Sequence, residues 1–463
     1  MSNPNDIVIV NVTTQSPPIP SLLLRMGAII SQGATTLTPG SYQALTSSSD
    51  LAAILTGSVA ITAMTWLASV VTVTLATAQT GSWSTDDIVR VTIAGAAPTA
   101  YNGTYNATVV DSTHFTFPLA ANPGAATTLG TMTLEDVAEI TAQNTTFWNQ
   151  GTNTLCYVLE LGEGSTSDGV TALINFIAGN PSQIFAHYLV PRTWDGEATF
   201  KTLASQYVSN NAMTWFHVTT TTATYTAWQT LAQKSVFGYV EYSEIPATEF
   251  DAAIGFYTVL TWNPSSSQKV PPLCFTYALS STAYPILGNG ALLTSLKAAG
   301  VNYIAPPGGG LTYNMLVWGK TMDGKSYNYW YAIAWMIVNS ALNISNLTIQ
   351  GSNDNTNPLY YSQDGIDRLQ NSLVKLANAG ISYGLILGSV QKTKLTQAVF
   401  AANVNDGDYA GSCAVNAVPF ASYTSLNQSD YMLMQYKGLT VVFTPQLGFE
   451  SITINLVASL YAG

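Results

Sequence analysis

Apolar and polar positions change period along this chain, and each change predicts a different kind of element. Near the start, Ile7, Val8, Ile9, Val10 and Val12 form a β-prone run, followed by Ser16, Pro17, Pro18, Ile19 and Pro20. Proline fixes φ and pushes the residue before it into extended backbone, so this cluster predicts a stiff linker and forbids a helix. At the other end Ile452, Ile454 and Leu456 alternate with Thr453, Asn455 and Val457, and the run closes on Leu460. Alternation with period two predicts a strand. A strand of twelve residues at ~3.3 Å each spans about 40 Å, far enough for an arm to reach a neighbouring copy. The plainer alternative is an edge strand in the chain's own sheet.

Between these ends the character changes three times. Residues 59–134 are rich in Thr, Gly, Ala and Val, and turns recur at Asn102-Gly103, Asn122-Pro123-Gly124 and Leu129-Gly130. Strands expected at 70–75, 88–93, 104–110 and 114–117 make this a small all-β module. It reads as an insertion, because helical patterning resumes at Glu135. From about 136 to 305 helices and strands alternate: Phe200, Leu203, Ala204 and Tyr207 have helical spacing, and strands are expected at 214–218, 236–242, 273–278 and 301–305. A helix is expected over 246–262, with Pro246 in its first turn. After Pro306-Pro307-Gly308-Gly309-Gly310, helices are expected at 327–342 and 363–379, the second with Ile366, Leu369, Leu373 and Leu376 as its buried stripe and Gly380 as its stop.

The fold class expected is therefore α+β or α/β and multidomain: a layered helix–sheet core, a small all-β insertion, and extended β-strand terminal arms. The divisions are an N-terminal arm and linker (1–25), the start of the core (26–58), the all-β module (59–134), an α/β middle domain (135–305), a C-terminal α+β domain (306–450) and a strand arm (451–463).

Composition sharpens this picture. Only 8% of the 463 residues are charged and 47% are hydrophobic, whereas a soluble domain carries roughly 25% charged residues. Mixed surface charge keeps copies apart, so a surface built from Ser, Thr, Asn and Gln suits a chain covered by other copies of itself. The net charge of -11 comes from 14 basic against 25 acidic residues, with no basic run, which argues against binding nucleic acid through its phosphates. Cys156, Cys274 and Cys413 are far apart and make no Cys-x-x-Cys pair, the pattern of buried free thiols in a reducing compartment. The first residues carry no positive run of the kind that opens a signal peptide, so the several Asn-x-Ser/Thr sequons follow from composition. Residues 58–78 are uncharged and long enough to span a bilayer, but Val71, Val73 and Leu75 alternate with Thr72 and Thr74 as a half-exposed strand does. No direct membrane insertion is expected.

Catalytic patterns are sparse. Residues 319–326 fit the phosphate loop G-x-x-x-x-G-K-[ST], with Gly319 and Gly324 as turn residues, Lys325 for the terminal phosphates and Ser326 for magnesium. The competing reading is a polar turn on Asp323-Gly324, because no apolar strand ending in a magnesium-binding Asp accompanies it. His114, His187 and His217 are scattered without His-Glu-x-x-His, and no G-x-S-x-G elbow occurs. Asn403, Asn405, Asp406 and Asp408 surround Gly407 but lack the calcium-loop register. Tyr327, Tyr329, Trp330, Tyr331 and Trp335 suit a core or an interface better than a sugar platform. No catalytic residue, cofactor or metal is expected.

The last third carries a resemblance. The run from Asn353 through Tyr360, Tyr361, Gly365, Ile366, Asp367, Arg368 and Leu369, then Ala379-Gly380-Ile381 and Gly384, resembles the C-terminal domain of contractile phage tail sheath proteins. Asp430-Tyr431, Tyr436-Lys437-Gly438, Val442, Pro445 and Gly448-Phe449-Glu450-Ser451-Ile452 are similar to that family's closing segment. Upstream, Thr146 to Gly151 and Tyr157 to Leu161 are similar to its first helix-to-strand step, so the resemblance covers 1–58 and 136–463. It implies a non-enzymatic subunit that stacks as six-fold rings around a tail tube and contracts to drive the tube through the host envelope. The partners implied are other copies, the tube, baseplate and tail terminator proteins, in a virion tail assembled in the bacterial cytoplasm. Ile7, Val8, Ile9, Val10, Val12, Ile452, Ile454, Leu456, Val457 and Leu460 would be donated to neighbours' sheets, with Pro17, Pro18 and Pro20 setting arm stiffness. The alternatives are a tube or baseplate protein, or a nucleotide-binding protein using Lys325.

Overall fold

The computed structural model describes residues 22–79, 83, 85–86, 88–231, 233–241, 249–285, 289–306 and 311–451. The arm strands expected at 7–12 and 452–460, the Pro17, Pro18 and Pro20 linker, and Pro246 lie outside the described residues.

The first strand, β1 (Gly27–Ser31), is buried at all five positions, as a strand covered on both faces must be. β2 (Tyr42–Leu45) and the short α1 (Ser48–Ala52) follow, the helix started by a Ser47–Asp50 capping box. The chain then forms β3 (Val59–Leu67), β4 (Val70–Leu75), β5 (Ile88–Ala94), β6 (Gly103–Asp111), β7 (His114–Pro118) and β8 (Thr131–Leu134). These six close into a barrel in the order β3-β4-β7-β6-β5-β8. Val71, Val73 and Leu75 fill its interior with Phe115, Phe117 and Val91, while Thr72 and Thr74 face outward. The uncharged stretch 58–78 is thus a barrel hairpin. Sequence reading missed β3 and β8. A register shift between Ile61 and Ala63 breaks the alternation of β3, and β8 is only four residues long.

After the barrel come α2 (Glu135–Asn149), β9 (Cys156–Glu160), α3 (Thr166–Gly179), β10 (His187–Leu189), α4 (Ala198–Ser205), β11 (Trp215–Thr220), α5 (Tyr225–Leu231) and β12 (Val236–Val240). They build a six-stranded sheet with β1 and β2, in the order β12-β11-β10-β1-β9-β2. All its pairings are parallel except that of β2, antiparallel on β9. Alternate side chains enter two separate cores: Ala28 and Ile30 join Phe200 and Trp228, and Ile29 joins the cluster containing Phe256 and Leu260 of α6 (Ala252–Thr261). This is a helix–sheet–helix layering, the α+β architecture read from the alternation of elements.

The remainder comprises α7 (Gly290–Ala299), β13 (Tyr303–Ala305), β14 (Met315–Val317), α8 (Tyr327–Asn353), α9 (Gln363–Ser382), β15 (Val390–Thr393), α10 (Gln397–Asn405), β16 (Cys413–Ala417), α11 (Phe420–Leu426), α12 (Gln428–Met432) and β17 (Leu439–Phe443). Residues 273–278 are not the expected strand: Phe275 has φ 68°, and only a bridge from Tyr277 to Met315 forms. Gly380 does not stop α9. It lies inside the helix, where a Cβ would sit 2.7 Å from Ile386 Cδ1, and the left-handed turn is made by Gly384 at φ 75°. Among the described residues α8 alone is long and apolar enough to cross a membrane. Here Tyr327, Trp330, Tyr331, Ala334, Trp335 and Val338 bury one side of it in the core.

Candidate assembly interface

The three-stranded sheet, in the order β15-β16-β17, has an unfinished edge. β16 is buried throughout, whereas every residue of β17 is half-buried. The bonds from Val418 N–H to Gly438 O and from Thr444 N–H to Ser412 O fix the alternation of the β16–β17 ladder. In an antiparallel pair the residues between bonded positions point their N–H and C=O outward. For β17 these are Leu439, Val441 and Phe443, whose main-chain groups therefore face away from β16. No strand covers that edge among the described residues.

Along this edge runs a groove of about 950 Å³, walled by Ile333, Ile337 and Ile344 of α8, Leu369 of α9, and residues 433–437. Those last residues form a strap held by polar bonds. Tyr361 Oη donates to Gln435 O (2.8 Å), Tyr436 Oη to Val418 O (2.6 Å), and Tyr423 Oη to Asp430 Oδ2 (2.6 Å). Lys437 Nζ reaches Asp430 Oδ1 at 3.0 Å. The Tyr423 hydroxyl, then Lys437, hold the Asp430 carboxyl below its usual range. Two apolar side chains of the strap are largely exposed, Leu433 at 63% and Met434 at 85%. The chain leaves β17 in another direction: Gln446 N–H bonds Leu385 O, and Glu450 pairs with Lys320 Nζ at 3.1 Å, before α8 begins. The groove lies along α8 from Ile333 to Thr348, whereas Glu450 pairs with Lys320, ahead of the helix start.

A second concave place is closed. The order of strands reverses beside β1, between β9 and β10, and ligands of open α/β sheets sit outside the strand ends at such a point. Gly162 and Gly164 precede α3 there. The crevice, however, holds this chain's own side chains. Glu160 accepts from Ser31 Oγ (2.6 Å), Thr35 Oγ1 (2.7 Å) and the N–H groups of Gly33 and Gly162 (both 2.7 Å), and also from Thr35 N–H (3.1 Å). Gln32 donates to Ser165 O and accepts from Trp194 Nε1 at 2.7 Å. A Cβ on Gly169 would lie 2.2 Å from Gln32 Nε2, and one on Gly33 2.1 Å from Glu163 Oε2. The helix start is capped by Ser165 and Asp168. Among the described residues these side chains occupy the place where a nucleotide would sit.

The phosphate-loop motif fares no better. Five of its eight N–H groups are already spent: Lys320 on Asn302 Oδ1 (2.9 Å), Thr321 on Lys325 O (3.0 Å), Met322 on Val236 O (2.8 Å), Gly324 on Thr321 O (2.9 Å) and Lys325 on Asp323 Oδ1 (3.2 Å). A phosphate cradle needs those donors free and convergent. Lys325 Nζ instead lies over Tyr329 and Trp330, 5.0 and 4.7 Å from the ring centres. The segment is the polar turn on Asp323-Gly324, and its committed N–H groups form no phosphate cradle beside Lys325.

The other candidates are structural. Cys156, Cys274 and Cys413 are buried free thiols. Among the described residues no group of three His, Cys, Asp or Glu could hold a metal, the 403–408 segment included. Tyr327, Trp330, Tyr331 and Trp335 are core residues. Beyond β12, Arg192 pairs with Glu241, whose carboxyl is pushed up to about 7 by burial against the pull of that guanidinium. Sequence reading found neither the groove nor the Glu160 hub; a Gly-x-Gly after a strand was the one signal for the latter.

No protein-family model and no curated protein matches the chain. Among solved structures it matches a chain of the anti-feeding prophage baseplate, six-fold symmetrised, with a TM-score of 0.51 at 11% identity over 99% of this chain and 100% of that one. The two chains share a fold. The chain also matches the helical sheath of the anti-feeding prophage in its contracted state (TM-score 0.48, 10% identity, 99% of this chain and 100% of that one). A sheath tail protein of Listeria innocua matches with a TM-score of 0.38 at 12% identity, over 81% of this chain and 87% of that one.

Proposed function

We propose that this chain is a structural, non-enzymatic subunit of a contractile tail sheath, polymerising as stacked six-fold rings around a tail tube. The observation that carries the reading is the open β17 edge above an apolar groove, in a chain whose fold is shared end to end with a prophage baseplate chain. A strand from another copy would complete that sheet. Ile452, Ile454 and Leu456 supply one apolar face and Thr453 and Asn455 one polar face, which suits an edge strand laid over a groove lined by the apolar side chains of α8 and α9. Ile7, Val8, Ile9, Val10 and Val12 would serve as a second donor, spaced by Pro17, Pro18 and Pro20, with Val457 and Leu460 completing the first. The barrel would be an insertion facing outward, and contraction would repack rigid bodies while the arms stay docked. Tube, baseplate and terminator proteins would be the partners, in a virion tail built in the host cytoplasm.

Magnitudes favour cooperativity. Each buried Ile or Leu contributes roughly 1.5–3 kcal/mol, and each new backbone bond about 0.5–1.5 kcal/mol. Ordering the arm costs about 1–2 kcal/mol per residue. These nearly cancel, so one arm binds weakly and a ring of them binds well. Negative-stain microscopy of the full chain beside versions lacking 1–21 or 452–463 tests the reading. Long hollow tubes from the full chain only, with both truncations folded, are expected; tubes from either truncation would overturn it. The matched structure being a baseplate favours one second reading, a baseplate subunit, which predicts single rings that never stack.

A further inference from the structure

A line of four polar side chains crosses the apolar core beneath α8. Tyr327 Oη lies 3.1 Å from His187 Nε2, His187 Nδ1 lies 3.2 Å from His217 Nε2, and His217 Nδ1 lies 3.0 Å from Tyr239 Oη. All four residues are fully buried. His187 stacks on Trp215, and His217 stacks on Phe237 with ring centres 4.5 Å apart. The Tyr239 hydroxyl fits against α6 only because residue 255 is glycine, where a Cβ would be 2.0 Å from it. The file therefore joins β10, β11 and β12 to both α6 and α8.

Counting protons shows what the file tolerates. Three contacts need three hydrogens, and neutral imidazole carries one N–H and one acceptor. With all donors pointing from Tyr327 to Tyr239, or all reversed, every contact is satisfied. One added proton places an uncompensated charge in the core. A second leaves N–H facing N–H between the two rings, across 3.2 Å, with no acceptor. Both nitrogens of each ring are taken, so no carboxylate bonds either one. The titratable groups around them are Tyr239 on β12 and Tyr327 and Tyr331 on α8, with Arg25 beyond Tyr331; α6 presents Phe256. Burial holds His187 down at about 3 and His217 well below its usual value, the latter helped by His187.

We propose that the Tyr327–His187–His217–Tyr239 file is an acid-sensitive latch, which holds α8 on the sheet while both imidazoles are neutral and releases it when the pair takes up protons. Both imidazoles bind protons more weakly in the closed form than in an open one, so the latch is firm above pH ~6.5 and weakens as pH falls below it. Two protons make the open-to-closed ratio rise by up to about 100-fold per pH unit. α8 also walls the groove at β17, so on the sheath reading acid would loosen the strand site; the latch itself does not require that reading.

Hydrogen–deuterium exchange of the whole protein at pH 7.5, 6.5, 5.75 and 5.0, read by mass spectrometry, tests the latch. After correction for intrinsic rates, amides of 327–338 are expected to open by up to about 100-fold per unit below pH 6.5. His217→Phe should reduce that slope to about tenfold, because one proton remains. Exchange at the imidazole carbons of the unaltered protein gives a second reading that needs no variant. His187 and His217 should stay neutral far below the pH of about 6.5 at which a free imidazole titrates. A flat response of 327–338, an unchanged slope in His217→Phe, or buried imidazoles that titrate as free ones do, near pH ~6.5, would each overturn the latch.

Discussion

In the six-stranded sheet every position of β1 is buried, and the crevice at its strand ends is filled by Gln32, Glu160 and Trp194. In the three-stranded sheet β17 is half-buried along its length, and three of its residues aim their main-chain groups at an open groove. The first sheet has satisfied itself: five donors converge on one buried carboxylate, and the place where a ligand would sit is occupied. The second has an edge that no strand covers among the described residues, with apolar side chains beside it, and the proposed occupant is a strand. An unpaired edge is a liability to a free protein, and among the described residues one sheet is sealed while the other keeps an uncovered edge, the contrast on which the proposed strand donation rests. The low charge of the whole sequence points the same way.

The strongest way to break this comparison is Val441→Pro. Val441 points its N–H at the groove, not at β16, so proline there removes a bond that only an incoming strand would use. Assembly should fail, with the concentration needed for tubes raised at least about 100-fold, since losing even ~3 kcal/mol per docked strand has that effect. The urea midpoint of the subunit should move little. Equal loss of stability and assembly, measured by denaturation and sedimentation, would show that the edge belongs to the subunit's own fold.

Glu160→Gln tests the sealed side. The glutamine NH2 must face either the N–H pair of Gly33 and Gly162 or the donors of Ser31 and Thr35. Facing the glycines it leaves two N–H groups without an acceptor; facing Ser31 and Thr35 the hydroxyls can turn to accept and only Thr35 N–H is left, so the cost is roughly 1–3 kcal/mol in urea unfolding. Assembly should follow stability and no further. A gain of nucleotide affinity would mean that the crevice opens more easily than its packing implies.

Legibility in the sequence divided along the same line. The stripe Ile366, Leu369, Leu373 and Leu376 on α9, and the alternation of β4, could be read because each is local: spacing alone decides which face is buried. The β3 bulge and the φ of 68° at Phe275 hid two segments, since both break the period without leaving a mark in residue type. The groove was illegible for a different reason. Ile333 and Val441 are 108 positions apart and meet only through the packing of α8 and α9 beside β17. What the sequence did offer was a β-prone run at 7–12 and an alternating run at 452–460, the two segments proposed as arms.

The smallest expected effect concerns the motif that looked most chemical. Lys325→Ala removes an exposed ammonium from the faces of Tyr329 and Trp330, contacts worth about 0.5–1 kcal/mol at exposed sites. The turn itself rests on Asp323, which accepts from Thr321 Oγ1 at 2.6 Å and from Trp330 Nε1 at 3.1 Å, and these bonds survive the substitution. Stability should fall by no more than about 1 kcal/mol, tubes should still form, and calorimetry with magnesium–ATP should show no binding before or after the change. Tight ATP binding lost on Lys325→Ala would require the five committed N–H groups of this loop to let go of their partners, and would reverse the contrast between a sealed sheet and an open one.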